Sequence, residues 1–136
     1  MAQAEIGLIG LGVMGTNLAL NIAEKGFPIA VYNRTADTTV KFHAGAGTLA
    51  DRVNPCRTLE EFAAAIRLPR PVIIMVKAGD PVDQNIALLR KLLSANDIII
   101  DAGNANFRDT IRRFTELEGS GLTFIGMGVS GGEEGA

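Results

Sequence analysis

Short apolar runs alternate with longer stretches of helical periodicity along the whole chain, and this alternation restricts the fold more than any other feature. Ile6-Gly7-Leu8-Ile9 has the length and character of a buried strand. Leu18, Ala19, Ile22 and Ala23 then form a helical stripe within Val13 to Lys25, and Gly26 stands where a helix-closing glycine belongs. The same pair of signals recurs. Ile29 to Tyr32 reads as a strand and Thr38 to Ala44 as a short helix. Thr58, with Glu61 three residues on, is a capping-box pair that opens a helix through Ile66. Val72 to Val76 is apolar throughout, as a strand covered on both faces must be. Asp80 and Pro81 open a helix to about Leu93, with Pro81 suited to the first turn. Ile98 to Ile100, a polar-faced helix from Arg108 to Glu118, and Leu122 to Ile125 complete the series. Residues 48–57 carry weaker signals: Val53 suits a short strand, and Pro55 is expected to interrupt it.

Strands and helices in such alternation form βαβ units, so the expected fold is α/β, doubly wound, with a mostly parallel sheet and helices on both faces. Its 136 residues make one domain, large enough to bury roughly 70% of the surface exposed when unfolded.

The turn between the first strand and the first helix is Gly10-Leu11-Gly12-Val13-Met14-Gly15, a G-x-G-x-x-G sequence. Alone, this pattern can be a turn that merely connects strand and helix. Directly after a strand and at the opening of a helix it has a physical purpose. Gly10 permits the tight turn, Gly12 lets backbone approach a pyrophosphate, and Gly15 lets helix and strand pack closely. The helix N-terminus then presents free N–H groups and a positive dipole end to phosphate. The fold is therefore of Rossmann type.

An NAD site has an acidic residue at the end of the second strand to accept the ribose hydroxyls. Here the strand runs into Asn33-Arg34-Thr35. A carboxylate would repel a 2′-phosphate, whereas Arg34 pairs with it and can stack on adenine, and Thr35 adds a hydroxyl donor. This favours NADP, against the alternative that Arg34 only solvates a loop.

Ligands of open α/β sheets lie beyond the carboxyl ends of the strands. Lys77-Ala78-Gly79 follows one strand there; Lys77 could neutralise phosphate or be an ordinary surface lysine. Asn104 could hydrogen-bond a polyhydroxy or carboxylate substrate without adding charge, or simply form a turn. Ser130-Gly131-Gly132 could form a nest of N–H groups for a carboxylate, or be a plain loop, and Glu133-Glu134 suits a solvated acidic pair.

The remaining composition narrows the field. A net charge of −2 argues against a nucleic-acid surface. No apolar stretch approaches the roughly 20 residues of a membrane span. The first apolar run is short, lacks a basic flank and is broken by glycine, so it does not read as a signal peptide, and a cytoplasmic location is expected. Cys56 is the only cysteine and has no histidine motif beside it, which suits a passive thiol. His43 is the only histidine and has no second ligand at metal spacing, so no metal site is expected.

The glycine turn with Asn17-Leu18-Ala19, then Gly26-Phe27, Asn33-Arg34-Thr35, Met75-Val76-Lys77-Ala78-Gly79, Asp101-Ala102-Gly103-Asn104 and the stretch Gly128 to Ala136, resemble the 6-phosphogluconate dehydrogenase family almost end to end. Val-Lys-Ala-Gly and the last stretch are the specific elements. The glycine turn and Asn-Arg-Thr are shared with related β-hydroxyacid dehydrogenases. The resemblance implies NADP-dependent oxidation of 6-phosphogluconate at C3, loss of carbon dioxide and formation of ribulose 5-phosphate, in the pentose phosphate pathway. It implies that Gly10, Leu11, Gly12, Val13, Met14, Gly15, Asn33, Arg34, Thr35, Val76, Lys77 and Ala78 hold NADP. Asn104 would touch both cofactor and substrate, and Ser130, Gly131 and Gly132 would hold the sugar acid.

In that family a lysine base and a glutamate acid lie beyond the Ser-Gly-Gly loop, and a large helical domain builds the homodimer. The general base and acid are therefore expected beyond Ala136, and no catalytic residue is expected within residues 1–136, which should bind NADP without turning over substrate. Apolar surface that later segments cover should be exposed. Two rival readings are a dehydrogenase of the 3-hydroxyisobutyrate or tartronate semialdehyde type and a non-enzymatic NADP-binding module.

Overall fold

The computed structural model describes residues 3–103 and 105–128. The expectations for Asn104, Ser130, Gly131 and Gly132, and for a base and acid placed past Ala136, lie outside the described residues. The period-two alternation of the strands sorts their side chains into two cores. Leu8, Ile29, Val31 and Ile73 enter one, with Ala19 and Ala23. Ile9, Ala30, Val72, Ile74 and Ile99 enter the other, with Phe62, Val82, Ile86 and Leu89. Strands buried on both faces have no polar side to offer water, which is why they read as continuous apolar runs.

The order along the chain is β1 (Ile6–Ile9), α1 (Val13–Glu24), β2 (Ile29–Tyr32), α2 (Ala36–Ala44), a 3-10 turn (Gly47–Arg52), β3 (Val53–Cys56), α3 (Leu59–Ala65), β4 (Pro71–Ile74), α4 (Asp80–Leu89), β5 (Ile98–Asp101), α5 (Phe107–Leu117) and β6 (Thr123–Gly126). The six strands lie in the order β3-β2-β1-β4-β5-β6, and every neighbouring pair is parallel. The chain thus builds outward from β1 in one direction, returns, and builds outward from β4 in the other. The reversal leaves a crevice above β1 and β4, where connections depart to opposite faces.

Helix ends follow local chemistry. Gly26, at φ +97°, closes α1. Its N–H donates to the Ala23 carbonyl at 3.0 Å and that of Phe27 to Ile22 at 3.3 Å, the paired bonds of a Schellman close. At α3 the Thr58 hydroxyl accepts from Glu61 N–H at 3.1 Å. The Glu61 carboxylate accepts from the N–H of Arg57, one residue before the cap, at 3.4 Å.

Three expectations are corrected. β4 ends at Ile74 and not at Val76, because Val76 has left the ladder to line the crevice. α4 ends at Leu89, and Leu92 and Leu93 complete the core from hydrogen-bonded turns after it. Pro55 does not interrupt its strand: β3 is the sheet's edge, Pro55 stays in register with Val31, and an open edge needs no donor. α5 turns Arg108, Arg112 and Glu116 to water, as a polar-faced helix does, and packs Leu117 into the core. It buries Arg113 and exposes Phe107, Ile111 and Phe114, at 68%, 60% and 56%. Next to them Ile125 and Met127 are exposed at the β6 edge, so apolar side chains gather at this margin.

The amino ends of β4 and β5 are tied by a buried carboxylate. Asp97 accepts from Arg70 N–H at 2.7 Å, Arg70 Nε at 2.9 Å and Ser94 N–H at 2.8 Å. Arg70 Nη1 also donates to the Ala63 carbonyl of α3 at 3.1 Å. Asp97→Ala leaves a largely buried guanidinium and two N–H groups without their acceptor. The expected loss of stability, measured by urea denaturation, is on the order of 3–5 kcal/mol.

Candidate dinucleotide site

At the carboxyl edge of β1 the chain turns sharply at Gly10, whose φ of +104° only glycine adopts without strain. A Cβ there would also sit 2.3 Å from the Met75 carbonyl oxygen, so the turn after β1 lies directly against the segment after β4. A Cβ on Gly15 would meet the Gly10 carbonyl oxygen at 1.9 Å, which is what allows α1 to start so close to its own strand. Gly12 differs from both. Its φ is −77°, which any residue adopts, and nothing lies within 4 Å of the place a Cβ would occupy. The protein leaves that space free.

Gly12 is also the N-cap of α1, with no side chain capping the helix and no acidic residue in its first turn. The end of the helix is thus open to an anion, with its N–H groups and positive dipole end uncompensated. Around it Leu11, Gly12, Val13, Thr16 and Asn17 line an open cavity of about 500 Å³. Met14 is half-buried behind it.

The turn is held from β2. Asn33 Oδ1 accepts from Leu11 N–H at 2.9 Å, which fixes the loop and places the Asn33 side chain under it rather than out toward solvent. Arg34 is exposed, and among the described residues it takes part in no ion pair. Thr35 is the N-cap of α2, yet its hydroxyl does not cap the helix.

Arg34 opens onto a cavity of about 130 Å³ lined by backbone and side chains from β1, β2, α3, α4 and Val76. Tyr32, Leu59, Gln84, Asn85 and Leu88 belong to this lining and carried no signal in the sequence. They reach it from elements whose periodicity announces only packing. No carboxylate is among the lining residues. Lys77 and Ala78 are exposed beyond Val76.

The structure therefore brings together the glycine turn, Asn33, Arg34 and Val76. Thr35 and Lys77-Ala78 lie next to them in the chain, on the exposed rim.

Cys56 and His43 stand apart from this site. The Cys56 thiol is buried, and that burial, with the nearby Glu61 carboxylate adding to it, pushes its pKa up to about 12. A thiol held protonated is no nucleophile at neutral pH. His43 is in the last turn of α2, and no group of three or more metal-ligating side chains is found among the described residues. No helix among them is long and apolar enough to cross a membrane.

A parallel sheet in this order, with a glycine turn feeding an uncapped helix at the reversal point, defines a dinucleotide-binding domain of Rossmann type. The family model for the NAD binding domain of 6-phosphogluconate dehydrogenase matches residues 5–136, and the chain belongs to this family. It is 53% identical over its full length to the decarboxylating 6-phosphogluconate dehydrogenase of Synechococcus elongatus, of which it covers 29%. With the Trypanosoma brucei brucei enzyme it is 48% identical over 97% of the chain, covering 28% of that protein. The chain thus spans less than a third of the curated relatives it matches.

Among solved structures, Plasmodium falciparum 6-phosphogluconate dehydrogenase, described apo, with its cofactor NADP+ and with its substrate 6-phosphogluconate, superposes with a TM-score of 0.90. The identity is 44%, over 96% of this chain and 28% of that one. A Mycobacterium tuberculosis 3-hydroxyisobutyrate dehydrogenase shares the fold, with a TM-score of 0.79 at 22% identity over 99% of this chain and 43% of that one.

Two outcomes follow from the glycines and the thiol. Gly10→Ala and Gly15→Ala should each lower the melting temperature clearly, whereas Gly12→Ala should leave it within a few degrees, since a slightly poorer N-cap is offset by a less flexible unfolded chain, each worth about 1 kcal/mol or less. For Cys56, the folded state keeps a proton that the unfolded state releases near the ordinary value of 9.0. Its contribution to stability is therefore complete below that pH and drains away as the pH rises toward about 12. Cys56→Ala should flatten that alkaline loss in denaturation curves recorded between neutral and alkaline pH.

Proposed function

We propose that this chain binds NADP in the crevice above β1 and β4 and prefers it to NAD. The observation that carries the reading is the cavity at the end of β2, which presents Arg34 and no carboxylate. A 2′-phosphate would find a guanidinium in place of a repelling acid. Gly10 through Gly15 would hold the pyrophosphate against the open end of α1, with Val13 and Met14 beside it and Leu11 locked by Asn33. Thr35 would add its hydroxyl, and Val76, Lys77 and Ala78 would line the cofactor from β4. The residues present fit the cofactor in one further respect, the space kept empty above Gly12.

Within the whole protein this domain would serve the NADP-dependent oxidative decarboxylation of 6-phosphogluconate to ribulose 5-phosphate, in keeping with the relatives' names and the P. falciparum complexes. Asn104, Ser130, Gly131 and Gly132 would contact the sugar acid. The general base and acid would come from parts of the protein beyond Ala136. Asp101, the buried carboxylate at this edge, has both oxygens engaged, by Arg113 Nη1 at 3.3 Å and by Gly103 N–H at 3.1 Å. A homodimeric, cytoplasmic parent completes the reading, supported by the family likeness and by an unpaired buried cysteine. Identities of 48–53% with 6-phosphogluconate dehydrogenases, against 22% with the 3-hydroxyisobutyrate enzyme, favour this substrate over its rival.

Calorimetric titration with NADP and, separately, NAD tests the proposal. NADP should bind more tightly. Arg34→Ala should remove about 1.5–3 kcal/mol of NADP binding, roughly 10- to 100-fold, and leave NAD nearly unchanged. Equal affinities in the parent protein would refute the preference. Gly12→Ala should abolish binding of both while the protein stays folded.

A further inference from the structure

We propose that Arg113 is a positioning residue for the nicotinamide half of the site, an inference that rests on the NADP reading above. Arg113 is the largest fully buried side chain among the described residues, 1% exposed, whereas its neighbour Arg112 is exposed. Its guanidinium is spread over three elements. Nε donates to Asp83 Oδ1 at 2.8 Å and Nη2 to Asp83 Oδ2 at 3.3 Å, a two-pronged pair with the first turn of α4. Nη1 donates to Asp101 Oδ2 at 3.3 Å, at the end of β5. Nη2 also donates to the Gly79 carbonyl at 3.2 Å, at the end of the loop that follows β4.

From there the network reaches the cofactor crevice by two routes. Asp101 uses its other oxygen, Oδ1, to accept from Gly103 N–H, which shapes the turn leading to residue 104. The carbonyl of Gly79, a residue at φ +100°, anchors the far end of the Lys77-Ala78 loop. The two loops touch: a Cβ on Gly103 would lie 2.6 Å from the Val76 carbonyl oxygen. One buried guanidinium therefore ties the β4 and β5 loops together, while the adenosine side takes Asn33, Arg34 and the glycine turn from β1 and β2 and meets this network only through Val76 and α4. Arg112 balances the charge by pairing with Asp83 at 3.1 Å from the solvent side.

Arg113 thus meets the backbone of the β4 loop directly, at the Gly79 carbonyl, and that of the β5 loop through Asp101 and the Gly103 N–H. Lysine keeps the charge, so Asp83 and Asp101 remain compensated. It lacks the planar fork that reaches Asp83, Asp101 and Gly79 together.

The test compares Arg113→Lys with the parent protein by calorimetric titration against NADP and against adenosine 2′,5′-bisphosphate, the adenosine half of the cofactor. The proposal expects NADP to weaken by about tenfold or more while the bisphosphate changes by less than about twofold. Equal weakening of both, or no change in either beside a lower melting temperature, overturns it and leaves Arg113 a stabilising residue only. Failure of the parent protein to bind either ligand refutes the NADP reading itself and this inference with it. Should Arg113→Lys not fold, Asp83→Asn, at a partly exposed position, applies the same criterion, with a smaller split of the same sign expected.

Discussion

The crevice exists because three stretches of backbone approach more closely than side chains would allow. Gly15 lies against the Gly10 carbonyl, Gly10 against the Met75 carbonyl and Gly103 against the Val76 carbonyl. These contacts join the turn after β1 to the segments after β4 and β5; β1 and β4 lie side by side where the order of the sheet reverses, with β5 next to β4. Reversal alone makes a gap above the sheet. Close backbone contact turns that gap into a floor of fixed shape, with the open end of α1 on one side and the Arg34 cavity on the other. Any larger residue at these positions would push the loops apart and displace the groups they carry.

Much of this was legible in the sequence because it is local. Strands covered on both faces must be apolar throughout, and Ile29 to Tyr32 and Val72 to Ile74 are. The end of α1 was readable from one glycine and the start of α3 from Thr58 and Glu61, because caps are built from neighbours within a turn. The glycine turn was readable for the same reason. Pro55 misled because its effect depends on whether its strand is interior or edge, and edge position is a property of the sheet, not of the segment.

The unread parts are long-range and polar. Arg113 meets Asp83 from 30 residues away and Asp101 from 12. No periodicity marks such a pair, and in isolation Arg112-Arg113 looks like the wet side of a helix. Arg112 does stay outside, but Arg113 is buried, and Phe107, Ile111 and Phe114 are left exposed. The helices' contribution to the Arg34 cavity was hidden similarly. Gln84, Asn85 and Leu88 reach it from α4, whose register followed only from packing Val82, Ile86 and Leu89 into the core.

The three glycines of one short motif answer to different masters. Gly10 and Gly15 are required by the fold itself, since a Cβ at either would strike backbone whether or not a ligand is present. Gly12 strikes nothing, has ordinary dihedrals and caps its helix where serine, threonine or aspartate would cap better. A residue that the apo protein could replace at little cost, at the spot where the helix dipole is open, is explained by something that occupies the space at another time. That separation of ligand-imposed from fold-imposed sequence is what the fold alone does not give. Proteins only 22% identical share the sheet and its helices, so the argument for a particular chemistry has to rest on the lining of the crevice, where Gly12, Arg34 and the Arg113 network differ from what packing alone would select.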